Sequence, residues 1–157
     1  MRSLLKLGGY CNLVISLLHI VGLFWAKEFF RVTGVAEPMN QLSALHYSLP
    51  YLLTVLAAIV FALFGIYALY AEGGFIRLPF RKNVIYGIAI IYFIRGFGEW
   101  IAHAVLHSVN ASETLYSSIA IAIGAMYGLG GWYLFNNKND SSNQRNSEVI
   151  SDATLEI

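Results

Sequence analysis

Four long apolar runs dominate the sequence and limit the folds that it can adopt. They cover about residues 7–26, 50–71, 84–107 and 115–135, and a helix needs roughly 20 apolar residues to cross a bilayer. In lipid, every backbone polar group must be satisfied within the protein, and one helix does so by itself. The sequence therefore predicts an all-α integral membrane protein, a four-helix transmembrane bundle over residues 1–135.

The composition supports the membrane class and excludes others. Hydrophobic residues make up 57% of the chain and charged residues 12%, whereas soluble domains contain about 25% charged residues. This composition predicts membrane lipids as the surroundings, and the net charge of +1 indicates no nucleic-acid partner. Because Cys11 is the one cysteine of the chain, exchange through a paired thiol site is excluded.

Lysine and arginine residues in the short flanks of the runs fall mostly on one side. Cytoplasmic flanks of membrane proteins carry an excess of these residues. One side holds seven, namely Arg2, Lys6, Arg77, Arg81, Lys82, Lys138 and Arg145, and the other side holds only Lys27 and Arg31. This distribution predicts both termini in the cytoplasm. Residues 136–157, rich in Asn, Ser and acidic residues, are predicted to be a disordered cytoplasmic tail.

The third run contains charged side chains in its middle, at Arg95 and Glu99. His103 and His107 continue the same four-residue spacing, which places all four side chains in a slowly turning stripe on one helix. Ionisable residues inside a membrane are costly and usually mark a functional site. We therefore predict Glu99 and Arg95 as catalytic residues, with a purely structural ion pair as the alternative.

Two further histidines can reach the same depths from other helices. His19 lies twelve residues into the first run, about 18 Å deep and level with the charged pair. His46 precedes the second run, level with His103 and His107. Because polar side chains in lipid normally face the interior of a bundle, we predict that His19, His46, His103 and His107 bind a ligand there.

Three kinds of chemistry fit this set of residues, and the sequence leaves the cofactor unknown. A lipid-soluble or amphipathic ligand with a polar head, such as a quinone, sterol or lipid, would suit an intramembrane pocket in which Glu99 acts as acid or base. His46, Glu99, His103 and His107 are candidate ligands of Zn or Fe. His46 with His103 or His107 could hold a b-type haem. The protein is thus predicted to be an enzyme or redox subunit, or a non-catalytic assembly protein. A transporter is a third option, although the sequence shows neither an internal repeat nor helices broken by Pro and Gly.

Small residues on the fourth run predict close helix packing. Gly124 and Gly128 form a G-x-x-x-G pattern, which lets two helix backbones approach each other. The pattern is compatible with packing inside one chain and with a homo-oligomer.

The chain resembles the DoxX-like group of small four-helix bacterial membrane proteins. The resemblance lies in the four-span plan, in His19-Ile20 on the first run, and in Phe29-Phe30-Arg31-Val32-Thr33-Gly34-Val35 before the second run. It implies a multi-pass protein of the bacterial inner membrane that is associated with respiratory or redox complexes. No functional motif of the group can be matched residue by residue, so the resemblance assigns no site.

Overall fold

The structure of the chain is a computed structural model. It describes the backbone of residues 2–71, 73, 78–106 and 111–155, and the side chains of residues 3–71, 73, 78–101, 105 and 113–136. Within these ranges the chain forms six α-helices and no strand. The helices are α1 (Arg2–Gly22), α2 (Ala26–Val32), α3 (Ala36–Leu45), α4 (Leu49–Leu69), α5 (Arg81–Leu106) and α6 (Ala111–Leu155).

Four of the described helical segments are long and apolar enough to cross a membrane. They are Ser3–Val32, Leu49–Leu69, Arg81–Ile101 and Glu113–Asn136, close to the four predicted runs. Large apolar side chains such as Leu17, Leu52 and Ile94 are more than 60% exposed on the outside of these helices, as lipid-facing residues are. The prediction of an all-helical fold with four membrane-length apolar helices is confirmed.

The first predicted span, 7–26, is interrupted before its end. A 3₁₀ turn, Leu23–Trp25, separates α1 from α2, and Trp25 leaves helical geometry with φ −127° and ψ 46°. The helical path is broken at this turn, and the ring of Phe29 lies against Gly22, where a Cβ would be 2.5 Å from the ring. The missing side chain of Gly22 therefore makes room for α2 at the end of α1.

Neighbouring membrane-length helices pack closely against one another except for α4 and α5. α1 packs closely on α4 and α5 on α6, α1 also contacts α6, and α4 and α5 contact each other far less. The buried core lies toward the end where α1 and α5 begin, around Leu5, Ile85, Ile88 and Tyr127. The other half of the described structure holds α2 and α3.

The glycines of the predicted G-x-x-x-G pattern face another helix of the same chain. A Cβ at Gly124 would lie 3.2 Å from Cβ of Tyr92 and 3.3 Å from the carbonyl oxygen of Ala89, and one at Gly128 would lie 3.9 Å from Cβ of Ala89. The pattern thus packs α6 on α5. A homo-oligomer through these glycines stays a prediction that a single chain does not test.

The backbone of the last part of the chain is helical, whereas disorder was predicted there. Helix α6 extends through Leu155, although the polar composition of 136–157 predicts a disordered tail. The side chains beyond 136 lie outside the described residues. Such a polar segment offers few apolar groups for packing, so disorder in solution stays a prediction.

A buried network of hydrogen bonds joins all four membrane-length helices. The side-chain amide of Asn12 on α1 donates to the carbonyl of Gly8 at 3.1 Å and to the hydroxyl of Tyr127 on α6 at 2.9 Å. Tyr127 donates to the carbonyl of Phe64 on α4 at 2.8 Å, and Tyr92 on α5 donates to the Asn12 side-chain oxygen. Asn12 and Tyr127 are fully buried, so the network fixes how the helices face each other.

We expect Tyr127→Phe to lower the free energy of unfolding by about 1 kcal/mol, because interhelical hydrogen bonds in membranes contribute about 0.6–1.7 kcal/mol. The measurement is unfolding in mixed micelles of increasing SDS content. Tyr10→Phe is the control, since Tyr10 is 58% exposed on α1. Equal stability of the Tyr127 variant and the wild-type chain would show that the network contributes nothing.

Candidate functional site

A cavity of about 510 Å³ lies in the half of the molecule that contains α2 and α3. Residues of all six helices line it, and most of the lining is apolar, including Phe29, Phe30 and Phe61. Its size falls inside the roughly 300–1,000 Å³ range that is usual for small-molecule sites. Its polar lining residues are His19, Thr33, Thr54, Tyr92, Arg95 and Tyr116.

The charged pair predicted from the sequence lies at this cavity. Arg95 lines the wall and donates from Nη1 to Oε2 of Glu99, as the spacing of four residues on one helix allows. Glu99 stands behind Arg95 and is not among the lining residues. The hydroxyl of Ser117, which is fully buried on α6, lies within hydrogen-bond distance of the same carboxylate oxygen. Glu99 therefore holds Arg95 in place from behind.

His19 lines the same cavity from α1, as its depth predicts. Its Nδ1 is 2.8 Å from the carbonyl oxygen of Ile15, and a carbonyl only accepts, so Nδ1 carries the proton. The ring also contacts the rings of Phe29 and Phe61, with centroid distances of 5.4 and 5.1 Å. These contacts hold the imidazole in one position and leave Nε2 as an acceptor when the ring is neutral.

The hydroxyl groups of the lining already have acceptors. Thr33 donates to Phe29 at 2.7 Å, Thr54 to Pro50 at 2.8 Å and Tyr116 to Val32 at 2.9 Å, in each case to a backbone carbonyl. Tyr92 donates to Asn12. Within the described part of the chain, Arg95 hydrogen-bonds only Glu99, and Nε2 of His19 has no partner. The unused polar capacity of the cavity is therefore concentrated on Arg95 and His19.

Helices α2 and α3 cover the cavity at one end. Phe29, Phe30 and Thr33 reach it from α2 and its end, and Val35 and Met39 from the start of α3. The hydrogen bond from Tyr116 on α6 to the backbone at the end of α2 ties this cover to the membrane-length helices. The segment after the turn at Leu23–Trp25 thus contributes Phe29 and Phe30 to the cavity wall.

The remaining predicted histidines are not brought to this cavity by the described structure. His46 ends α3, where Nδ1 lies 2.7 Å from Oγ of Ser48 and the ring stacks on Tyr47, and it is exposed. It does not line the cavity. The side chain of His103 and all of His107 lie outside the described residues.

The described residues contain no group of three or more His, Cys, Asp or Glu side chains that could hold a metal ion. The described candidates, His46 and Glu99, occupy separate positions, because only Glu99 adjoins the cavity through Arg95. Zn, Fe and haem ligation that involves His103 or His107 stays a prediction.

Several residues at the site were not predicted from the sequence, among them Tyr92, Tyr116 and Thr54. Asn12 and Ser117 were detectable, because each is a polar residue inside an apolar run and therefore follows the same rule that singled out Arg95. The tyrosines gave no such signal, since tyrosine is common near membrane interfaces.

Comparison with known proteins adds no relative. No protein-family model, no curated protein and no solved structure matches the chain. The resemblance to the DoxX-like group stays a prediction.

Proposed function

We propose that the chain is a four-helix transmembrane bundle that binds a lipid-soluble ligand in its intramembrane cavity. The observation that carries the proposal is the position of Arg95, an arginine with unused hydrogen-bond donors on the wall of an apolar cavity. Arginine in hydrocarbon is costly unless its donors are satisfied. A ligand with a polar head and an apolar body would satisfy them and fill the rest of the space.

In this proposal both termini lie in the cytoplasm and the cavity lies in the outer half of the bundle. The excess of lysine and arginine at the chain ends and between the second and third spans supports that orientation. The cover formed by α2 and α3 then lies at the outer surface, and the membrane is the bacterial inner membrane that the family resemblance implies.

The ligand would reach the cavity from the lipid, between α4 and α5. These two helices contact each other far less than α1 and α4 or α5 and α6 do. The cavity lining includes Leu53 on α4, 41% exposed, and Arg95 on α5, whose side chain is 54% exposed. A partly open wall at this position suits a guest that partitions into the membrane before it binds.

Filling the cavity should remove binding. We expect Ala57→Phe to abolish the 1:1 binding of radiolabelled monoolein to the purified chain in detergent micelles, because Ala57 lines the cavity and a phenyl group would occupy the space of the ligand. Ala62→Phe is the matched control, since Ala62 lies on the same helix and does not line the cavity.

A second variant guards against misfolding. Leu53→Trp fills the cavity from a partly exposed position, and Leu52→Trp is its control, 64% exposed and outside the lining. Monoolein that binds equally to the wild-type chain and to folded forms of both cavity variants would contradict the proposal.

A further inference from the structure

We infer that the ligand is a single-chain amphiphile with an uncharged head, which offers an oxygen acceptor to Arg95 and a hydroxyl donor to His19. This inference deepens the proposed function and rests on it. It follows from the charge balance of the cavity, from the proton on His19, and from the size of the cavity.

The charge balance favours an uncharged head. Arg95 is the only charged residue among the described residues that line the cavity, and its guanidinium is paired with the Glu99 carboxylate. An anionic or cationic head would therefore add a net charge to an apolar site, which is strongly unfavourable. An uncharged acceptor, such as an ester carbonyl, can bond the free N–H groups of Arg95 without separating the pair.

His19 requires a hydrogen-bond donor on the ligand. Nδ1 of His19 is committed to the carbonyl of Ile15, so Nε2 is the ring nitrogen that remains for a ligand. In the neutral ring Nε2 accepts a hydrogen bond, and the hydroxyl groups of Thr33, Thr54 and Tyr116 are already directed to backbone carbonyls. A ligand hydroxyl is the complement of this acceptor.

The volume and the apolar lining of the cavity favour one acyl or isoprenoid chain. A volume of about 510 Å³ is that of a small-molecule site and is too small to enclose a two-chain phospholipid. Away from Arg95 and His19, the lining is aliphatic and aromatic, with Leu18, Phe61 and Ile123 as examples. Such a surface recognises hydrocarbon by burial alone.

The test compares probes that share one oleyl chain and differ in the head. Monoolein has an ester carbonyl and hydroxyls, methyl oleate has the carbonyl alone, oleyl sulfate is an anion and oleyltrimethylammonium is a cation. Each competes with radiolabelled monoolein for the wild-type chain in the same micelles. We expect monoolein to bind at least about tenfold more tightly than either charged probe. The affinity of methyl oleate should lie between that of monoolein and those of the charged probes.

Two variants connect these preferences to the named side chains. His19→Leu should weaken monoolein to the level of methyl oleate and leave methyl oleate unchanged. Glu99→Gln removes the negative partner of Arg95 and should shift the preference toward oleyl sulfate. Control measurements with Glu28→Gln, in the exposed pair of Glu28 and Arg31, should leave all affinities unchanged.

The outcomes separate the two proposals. If oleyl sulfate binds the wild-type chain as tightly as monoolein, the inference of an uncharged head is wrong. If Ala57→Phe still abolishes binding in that case, the proposal of a ligand in the cavity stands. Equal affinity for every probe overturns recognition of the head. If no probe binds the wild-type chain, both the inference and the proposed function fail.

Discussion

Replacing Arg95 with alanine should weaken monoolein binding by about 10- to 100-fold, because hydrogen bonds from a charged group contribute about 1.5–3 kcal/mol. The change removes the guanidinium that lines the cavity and donates to the Glu99 carboxylate. The variant should still insert, since an arginine at the centre of a helix costs about 2.5–3.5 kcal/mol on the insertion scale and alanine removes that cost.

The matched control is Arg31→Ala. Arg31 also pairs with a glutamate on its own helix, but both side chains are more than 60% exposed and do not line the cavity. Monoolein affinity is measured in micelles, and insertion by extraction of the membrane fraction with alkali. If Arg95→Ala inserts, keeps the affinity of the wild-type chain and only loses stability, then the pair of Arg95 and Glu99 is structural.

Much of the architecture could be predicted because the bilayer imposes it. A fixed hydrocarbon thickness sets helix length, so the four membrane-length helices could be predicted from the apolar runs, with bounds that differ by at most six residues. The same depth arithmetic placed His19 level with Arg95, and both line the cavity. The depth of a residue along its helix axis can thus be predicted from residue counts when all the helices span the same hydrocarbon thickness.

The rotation of each helix about its axis and the breaks in the helices could not be predicted from the sequence. The runs are apolar on most sides, so no stripe indicates which face meets which neighbour. That information lies in long-range contacts, such as those that join Asn12 to Tyr92 and Tyr127. His46 was expected at the site because its depth fits. Instead it lies directly after the end of α3, where its ring contacts Ser48 and Tyr47.

The closest approach of α1 and α4 leads to a second large expected effect. A Cβ at Gly65 would lie 2.7 Å from Cγ of Leu13 and 2.9 Å from the carbonyl oxygen of Gly9, and a Cβ at Gly9 would lie 3.1 Å from the carbonyl oxygen of Gly65. The two backbones touch through these glycines, as small residues permit in membrane helices. No side-chain rotation can relieve a contact with backbone.

We therefore expect Gly65→Val to lower the free energy of unfolding by about 2–3 kcal/mol, the upper part of the range of about 1–3 kcal/mol that overpacking usually costs, because backbone atoms cannot move aside as a side chain can. The measurement is unfolding of the purified chain in mixed micelles of rising SDS content. Gly87→Val is the control, because Gly87 lies inside α5 and a Cβ there would have no neighbouring atom within 4 Å. Since both variants place the same β-branched residue in a helix, their difference isolates the contact of α1 with α4. An equal loss in the two variants would assign the effect to the local cost of valine in a helix and would remove the glycine contact as the reason these helices pack.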